Sequence, residues 1–139
     1  MNLDKNLLRN QDLGLLIVRL SAGGLMLFHG VSKLLHGVGP IGGMLESMGL
    51  PSFLAYGALL AELVAALMIV LGIWTRLASV VLVGNMIVAI LMAHSGDIFS
   101  LSPVGGWAIE LPMLYLLPYL ALCFTGGGKY AVTKNDIFS

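Results

Sequence analysis

Residues 13–35, LGLLIVRLSAGGLMLFHGVSKLL, decide how the rest of the chain is read. The run is long enough to cross a hydrocarbon core of about 30 Å, which takes about 20 helical residues. It nevertheless carries Arg19, His29 and Lys33. A bilayer penalises such groups heavily, so they need partners, and the other apolar runs are where partners must be sought. On a helix turning 100° per residue, His29 lies about 80° and Lys33 about 40° from Arg19. All three therefore share one side, together with Ala22, Gly23, Met26 and Gly30. The remaining faces are Leu, Ile, Val and Phe. Small and polar on one side, bulky and apolar elsewhere, is the pattern of a helix packed into a bundle with its back to lipid.

Composition agrees. Of 139 residues, 58% are hydrophobic and 10% charged, with a mean hydropathy of +0.97. A soluble domain of this length could not hide so much apolar surface. Seven basic and seven acidic residues cancel, which leaves no electrostatic footprint for nucleic acid. Cys123 is the single cysteine, so an internal disulfide and a CxxC redox pair are excluded; its apolar setting suggests a buried, inert thiol. The first apolar run is too long for the h-region of a cleavable signal peptide and lacks a small-residue cleavage site after it.

The expected fold is all-α: one integral membrane domain over residues 1–139, a four-helix bundle with spans at about 13–35, 52–74, 77–94 and 107–124. Asp12 is the expected cap of the first helix. Residues 36–51 are Gly- and Pro-rich and read as a loop, with room for a short interfacial helical turn at 44–48. Thr75 and Arg76 read as a tight connection that makes spans two and three antiparallel neighbours. Pro112 stands near the start of span four and Pro118 inside it. Tyr56, Trp74, Trp107 and Tyr130 fall near span ends, as interfacial anchors do. Four spans put both termini on one side. With that side cytoplasmic, Lys5, Arg9, Arg76, Lys129 and Lys134 are inside and only Lys33 is near the outer edge, in keeping with the positive-inside rule.

Depth then follows from the rise of 1.5 Å per residue. From the inner boundary, Arg19 lies at about 9 Å, Asn85 at about 14 Å and Glu62 at about 17 Å; His29, Glu110 and Lys33 lie at about 24, 25 and 30 Å. Side chains lean toward the N-terminus of their own helix, so His29 converges on Glu62 and Lys33 on Glu110. The expectation is a polar layer of His29, Lys33, Glu62 and Glu110, with Asn85 and Arg19 below it and His94 either in the layer or at headgroup level. Two alternatives stand beside it. Buried charges can serve only to register helices, and Arg19 can snorkel to the headgroups. The eight methionines have no ligand spacing, and there is no motif for metal, haem or phosphate.

These residues resemble the DoxX family of small four-span membrane proteins. The resemblance is carried by VRLSAGGLMLFHGVSKLLHG (18–37), with its arginine, small-residue patch and Gly-x-x-Lys, and by AELVAALMIVLGIWTRLAS (61–79), with its intramembrane glutamate, Leu-Gly and Thr-Arg. WAIELPMLYLLP (107–118) supplies the early glutamate of span four, and TGGGKYAVTKND (125–136) the glycine-rich ending. Gly127 replaces the proline usual there, and the following aspartate is displaced to Asp136. The family takes its name from a subunit of a quinone-linked oxidoreductase of sulfur metabolism, and other members are linked to oxidative-stress complexes. The resemblance therefore implies an inner-membrane accessory of a redox system.

Three functions compete. The first is a quinone-binding subunit that passes protons or reducing equivalents for a redox-enzyme partner, with quinone the one cofactor implied. The second is an anchor or assembly factor whose charges are purely architectural. The third is a small transporter subunit, which would need homo-oligomers because four spans without an inverted repeat are few for a pathway. The tails are too short for catalytic domains, so at most this is a subunit of an enzyme.

Overall fold

A computed structural model describes residues 10–37, 39–93, 96, 98–134 and 136–139. Its helices are α1 (Gln11–His36), α2 (Gly39–Ser47), α3 (Leu54–Leu71), α4 (Thr75–Ala93) and α5 (Glu110–Thr125). Among the described residues the only extended pairing is an isolated bridge between Leu101 and Trp107. Helices α1, α3 and α4 are each long and apolar enough to cross a membrane; α5, at 16 residues, is a shorter apolar helix. Where hydropathy alone suggests four full spans, the loop before α5 takes up part of the last. Ser102 N–H donates to Gly106 O, Gly105 N–H to Ser102 O and Ala108 N–H to Ser100 O. Helix α5 begins only at Glu110, with Pro112 in the first turn, where a missing N–H leaves no gap. The chain is a multi-pass membrane protein.

Helix ends depart from the expected ones for local reasons. Asn10, not Asp12, caps α1: its Oδ1 accepts Leu13 N–H at 3.0 Å. Asp12 lies inside the first turn and accepts Lys129 N–H at 2.9 Å, tying the tail to α1. The helical turn expected at 44–48 extends to the nine residues of α2. The α3–α4 connection is Gly72 to Trp74, and Thr75 and Arg76 already belong to α4. Gly72 is left-handed (φ 78°), and both Gly72 N–H and Ile73 N–H donate back to Met68 O. A side chain at 72 would be strained by φ and would meet Ala131 Cα at 2.6 Å.

Round the bundle, α1 packs along α3, α3 along α4 and α4 along α5, while α5 returns to α1 more sparsely; α2 lies on α3. Glycines set the α1–α3 seam. A Cβ at Gly23 would press on Val70, Ile69 and the carbonyl of Ala66, and one at Gly30 would collide with Leu63. Small residues there let the two backbones approach, which is what drives association where no hydrophobic effect acts between helices. The main core joins Ala22 and Met26 of α1, Ala66 and Ile69 of α3, Ala78, Leu82 and Met86 of α4, and Tyr119 and Leu122 of α5. It fills the half of the bundle nearer the C-terminal tail. Toward α2 the described residues include a smaller cluster of Leu45, Ala55 and Leu59.

Candidate functional site

The packed core ends at Met26 and Met86, and a charged pair stands one to two helical turns further on. Lys33 Nζ donates to Glu62 Oε2 at 2.9 Å, with the lysine side chain 36% exposed and the glutamate 3%. Among the described residues this is the only ion pair. It replaces both expected pairings, His29 with Glu62 and Lys33 with Glu110. The reason is rotation about α1. Taking Gly30 as the line of contact with α3, Lys33 is turned about 60° from it and His29 about 100°, in the same sense. Lys33 thus keeps within reach of α3, and its four-carbon stem, leaning back toward the N-terminus of α1, spans the difference in depth. His29 turns instead toward α5, as Ala22 does, two turns back.

On α5 the histidine meets an aromatic edge. His29 and Tyr115 are T-shaped, with ring centroids 5.5 Å apart, and Tyr115 stacks on Tyr119 at 6.3 Å. Tyr119 is fully buried and its hydroxyl donates to Ala22 O at 2.7 Å. His29 itself is exposed at the sparse α1–α5 seam. It is not enclosed with Glu62. Neither tyrosine is among the sequence-derived candidates. Their spacing, four residues apart and deep within an apolar run, was the available signal.

Two cavities, each about 380 Å³, share Lys33, Glu62, Asn85 and Ala89 as common walls. One runs toward α2 between Leu45, Leu59 and Met92. The other runs toward the α1–α5 seam past His29, Pro112 and Tyr115. Asn85, half-buried on α4, is therefore part of the same constellation. Apolar walls around a few polar groups, set at the level where close packing stops, are the usual make-up of a small-molecule pocket. The chemistry on offer is modest and definite: a lysine donor, a carboxylate able to take or give a proton, a carboxamide, and an aromatic rim.

The other candidates lie elsewhere. Glu110 is exposed in the first turn of α5, where a carboxylate complements the positive helix end, and it takes no part in the buried pair. His94 lies outside the described residues. Arg19, 1% exposed, does not snorkel. Its Nε donates to Ile69 O at 3.0 Å, Nη1 to Gly127 O at 3.1 Å and Nη2 to Val70 O at 3.1 Å. The guanidinium thus satisfies carbonyls in the last turn of α3 and clamps the tail to it, a fork that lysine could not copy. Cys123 is half-buried. Among the described residues no three His, Cys, Asp or Glu side chains gather as a metal site.

The family model for DoxX matches residues 14–95, from the start of α1 to the end of α4. An uncharacterised Haemophilus influenzae protein is 29% identical over 133 residues, 94% of this chain and 96% of its own. A Bacillus subtilis protein named "Putative oxidoreductase CatD" is 32% identical over 115 residues, 83% of this chain and 81% of its own. No solved structure matches. The matched region holds Arg19, the glycine seam, the Lys33–Glu62 pair and Asn85, and the chain belongs to the DoxX family.

Proposed function

We propose that the protein is the membrane-embedded accessory of a redox system, and that it holds a quinone or similar amphipath beside the Lys33–Glu62 pair. One observation carries the reading: an ion pair between half-buried Lys33 and buried Glu62 is the shared wall of two mainly apolar cavities. A structural pair would be packed round with side chains, as buried charges need; this one has space on two sides. The residues fit such a ligand. Lys33 and Asn85 are donors for a ring carbonyl, the His29–Tyr115 edge suits a flat ring, and Leu59 and Met92 suit an isoprenoid tail. Bound quinone would supply two-electron, two-proton redox capacity that no side chain here has. Glu62 holds a proton-accepting group beside the ring, Lys33 sets its charge, and the apolar walls exclude water.

The relative named as an oxidoreductase supports the redox side of this reading. In the same proposal α5 completes a fourth crossing together with the residues before it, and the tail end faces the cytoplasm of a plasma or inner membrane, since Arg76, Lys129 and Lys134 all gather there. Electrons would pass to or from a separate redox enzyme. The test is to purify the protein in mild detergent, extract bound lipids and quantify quinone per chain. Wild-type protein is expected to retain quinone. Glu62→Gln keeps a hydrogen-bond partner for Lys33 but no titratable group, so it should retain ligand while losing proton-coupled activity of the assembled system. Full activity in that variant would remove the proton role. Absence of quinone from wild-type protein extracted from quinone-rich membranes would leave the anchor reading.

A further inference from the structure

At the opposite end from α2, the tail folds back over the helix ends and borders an open polar hollow of about 420 Å³. Arg76, at the start of α4, and Lys129 and Lys134, on the tail, all line it. None of the three cations has a carboxylate within ion-pair distance among the described residues. Two side-chain carboxylates, Asp12 and Asp136, also line the hollow beside Ser139, and both are held by backbone. Asp12 accepts Lys129 N–H at 2.9 Å, and Asp136 accepts Phe138 N–H at 2.9 Å and Ser139 N–H at 3.0 Å.

The walls are pre-set. Gly126 and Gly128 have positive φ (71° and 81°), and Gly126 N–H donates to Leu122 O and Gly127 N–H to Ser139 O. Arg76 N–H and Leu77 N–H, at the positive end of α4, donate to Phe138 O. The clamp from Arg19 to Gly127 O fixes the turn from below. Three cations are thereby gathered round one space without being used to build it, and cations so placed act on whatever anion enters.

We propose that this hollow binds a phosphate-bearing anion. Trp74 and Tyr130, about half exposed at the same end, stand at headgroup level, where phospholipid phosphates lie. The same chemistry would be offered by free phosphate, and the two sources are separable. The purified protein in a neutral maltoside detergent is titrated with short-chain phosphatidylglycerol, with inorganic phosphate, with short-chain phosphatidylcholine and with decanoate, and thermal unfolding is followed. A lipid source gives a saturable rise in Tm with phosphatidylglycerol that the other three do not match. A rise with inorganic phosphate that saturates at the same level assigns the site to the free anion.

Lys129→Gln/Lys134→Gln, both exposed positions, should melt like wild type without ligand. Affinity for the active phosphate compound should fall about thirtyfold, from about 1 kcal/mol per cation at a membrane surface. Arg76→Gln should lower it as well. Three results overturn the proposal: no shift with either phosphate compound, an equal shift with decanoate, or an unchanged response in the double variant. Retained quinone bears on none of these, so this site and the Lys33–Glu62 site fail or stand separately.

Discussion

The two halves of the bundle treat buried charge in opposite ways. Toward the tail, Arg19 spends its donors on three backbone carbonyls and is surrounded by the close-packed residues of the main core. Toward α2, Lys33 and Glu62 have each other and two cavities. A cation whose partners are backbone and whose surroundings are full is architecture. A pair with a replaceable partner and open space beside it is a place where a ligand can bind and a proton can move.

The largest expected effect breaks the first half. Arg19→Leu strips donors from Ile69, Val70 and Gly127 at once and should lower unfolding free energy by about 4 kcal/mol, read from denaturant titration in mixed micelles. Arg19→Lys should recover less than half, and near-wild-type stability in the leucine variant would dissolve the contrast. Next is Lys33→Met, which leaves Glu62 buried without a counter-charge, at about 3 kcal/mol. Adding Glu62→Leu should bring stability back to within about 1 kcal/mol of wild type. No single second change can do that for Arg19, because its partners are carbonyls of the chain itself. Failure of the double variant to recover would mean that the pair is architectural after all.

Packing gives a finer test. Ala66→Leu, in the full half, should destabilise by about 2 kcal/mol through overpacking. Ala89→Leu, on the wall common to both cavities, should change stability by less than about 0.5 kcal/mol while cutting quinone retention, because there is room for the added methyl groups. Equal penalties at the two alanines would deny the difference in packing. Smallest among the tests of the full half is Tyr119→Phe. It removes the hydroxyl that donates to Ala22 O and should reduce stability by about 1 kcal/mol.

Much of this was legible in the chain. The span of α1, the sidedness of its small and polar residues, the intramembrane Glu62 on a face with Ala58, Ala61 and Ala65, and the presence, though not the exact position, of a tight turn between α3 and α4 can all be read from hydropathy and period. Glu62 is buried, as its alanine-rich face implies. The choice of its partner was not legible. Depth along the helices favoured His29, and only the rotation of α1, set by Gly23 and Gly30 against α3, turns Lys33 to the glutamate and His29 to Tyr115. Nor could Arg19 be placed from period alone, because its acceptors are carbonyls at positions 69, 70 and 127 that carry no side-chain signal.

By itself, the amino-acid order settled that the chain must live in a bilayer, roughly where its apolar helices lie and which few polar groups stand inside them, because transfer free energy depends on residue type and spacing. Tertiary structure alone decided which of those groups meet, that one end is more closely packed than the other, and that the tail gathers Arg76, Lys129 and Lys134 round one polar hollow. Each of these depends on helix rotation and on main-chain atoms, which every residue possesses alike and which no pattern of side chains distinguishes.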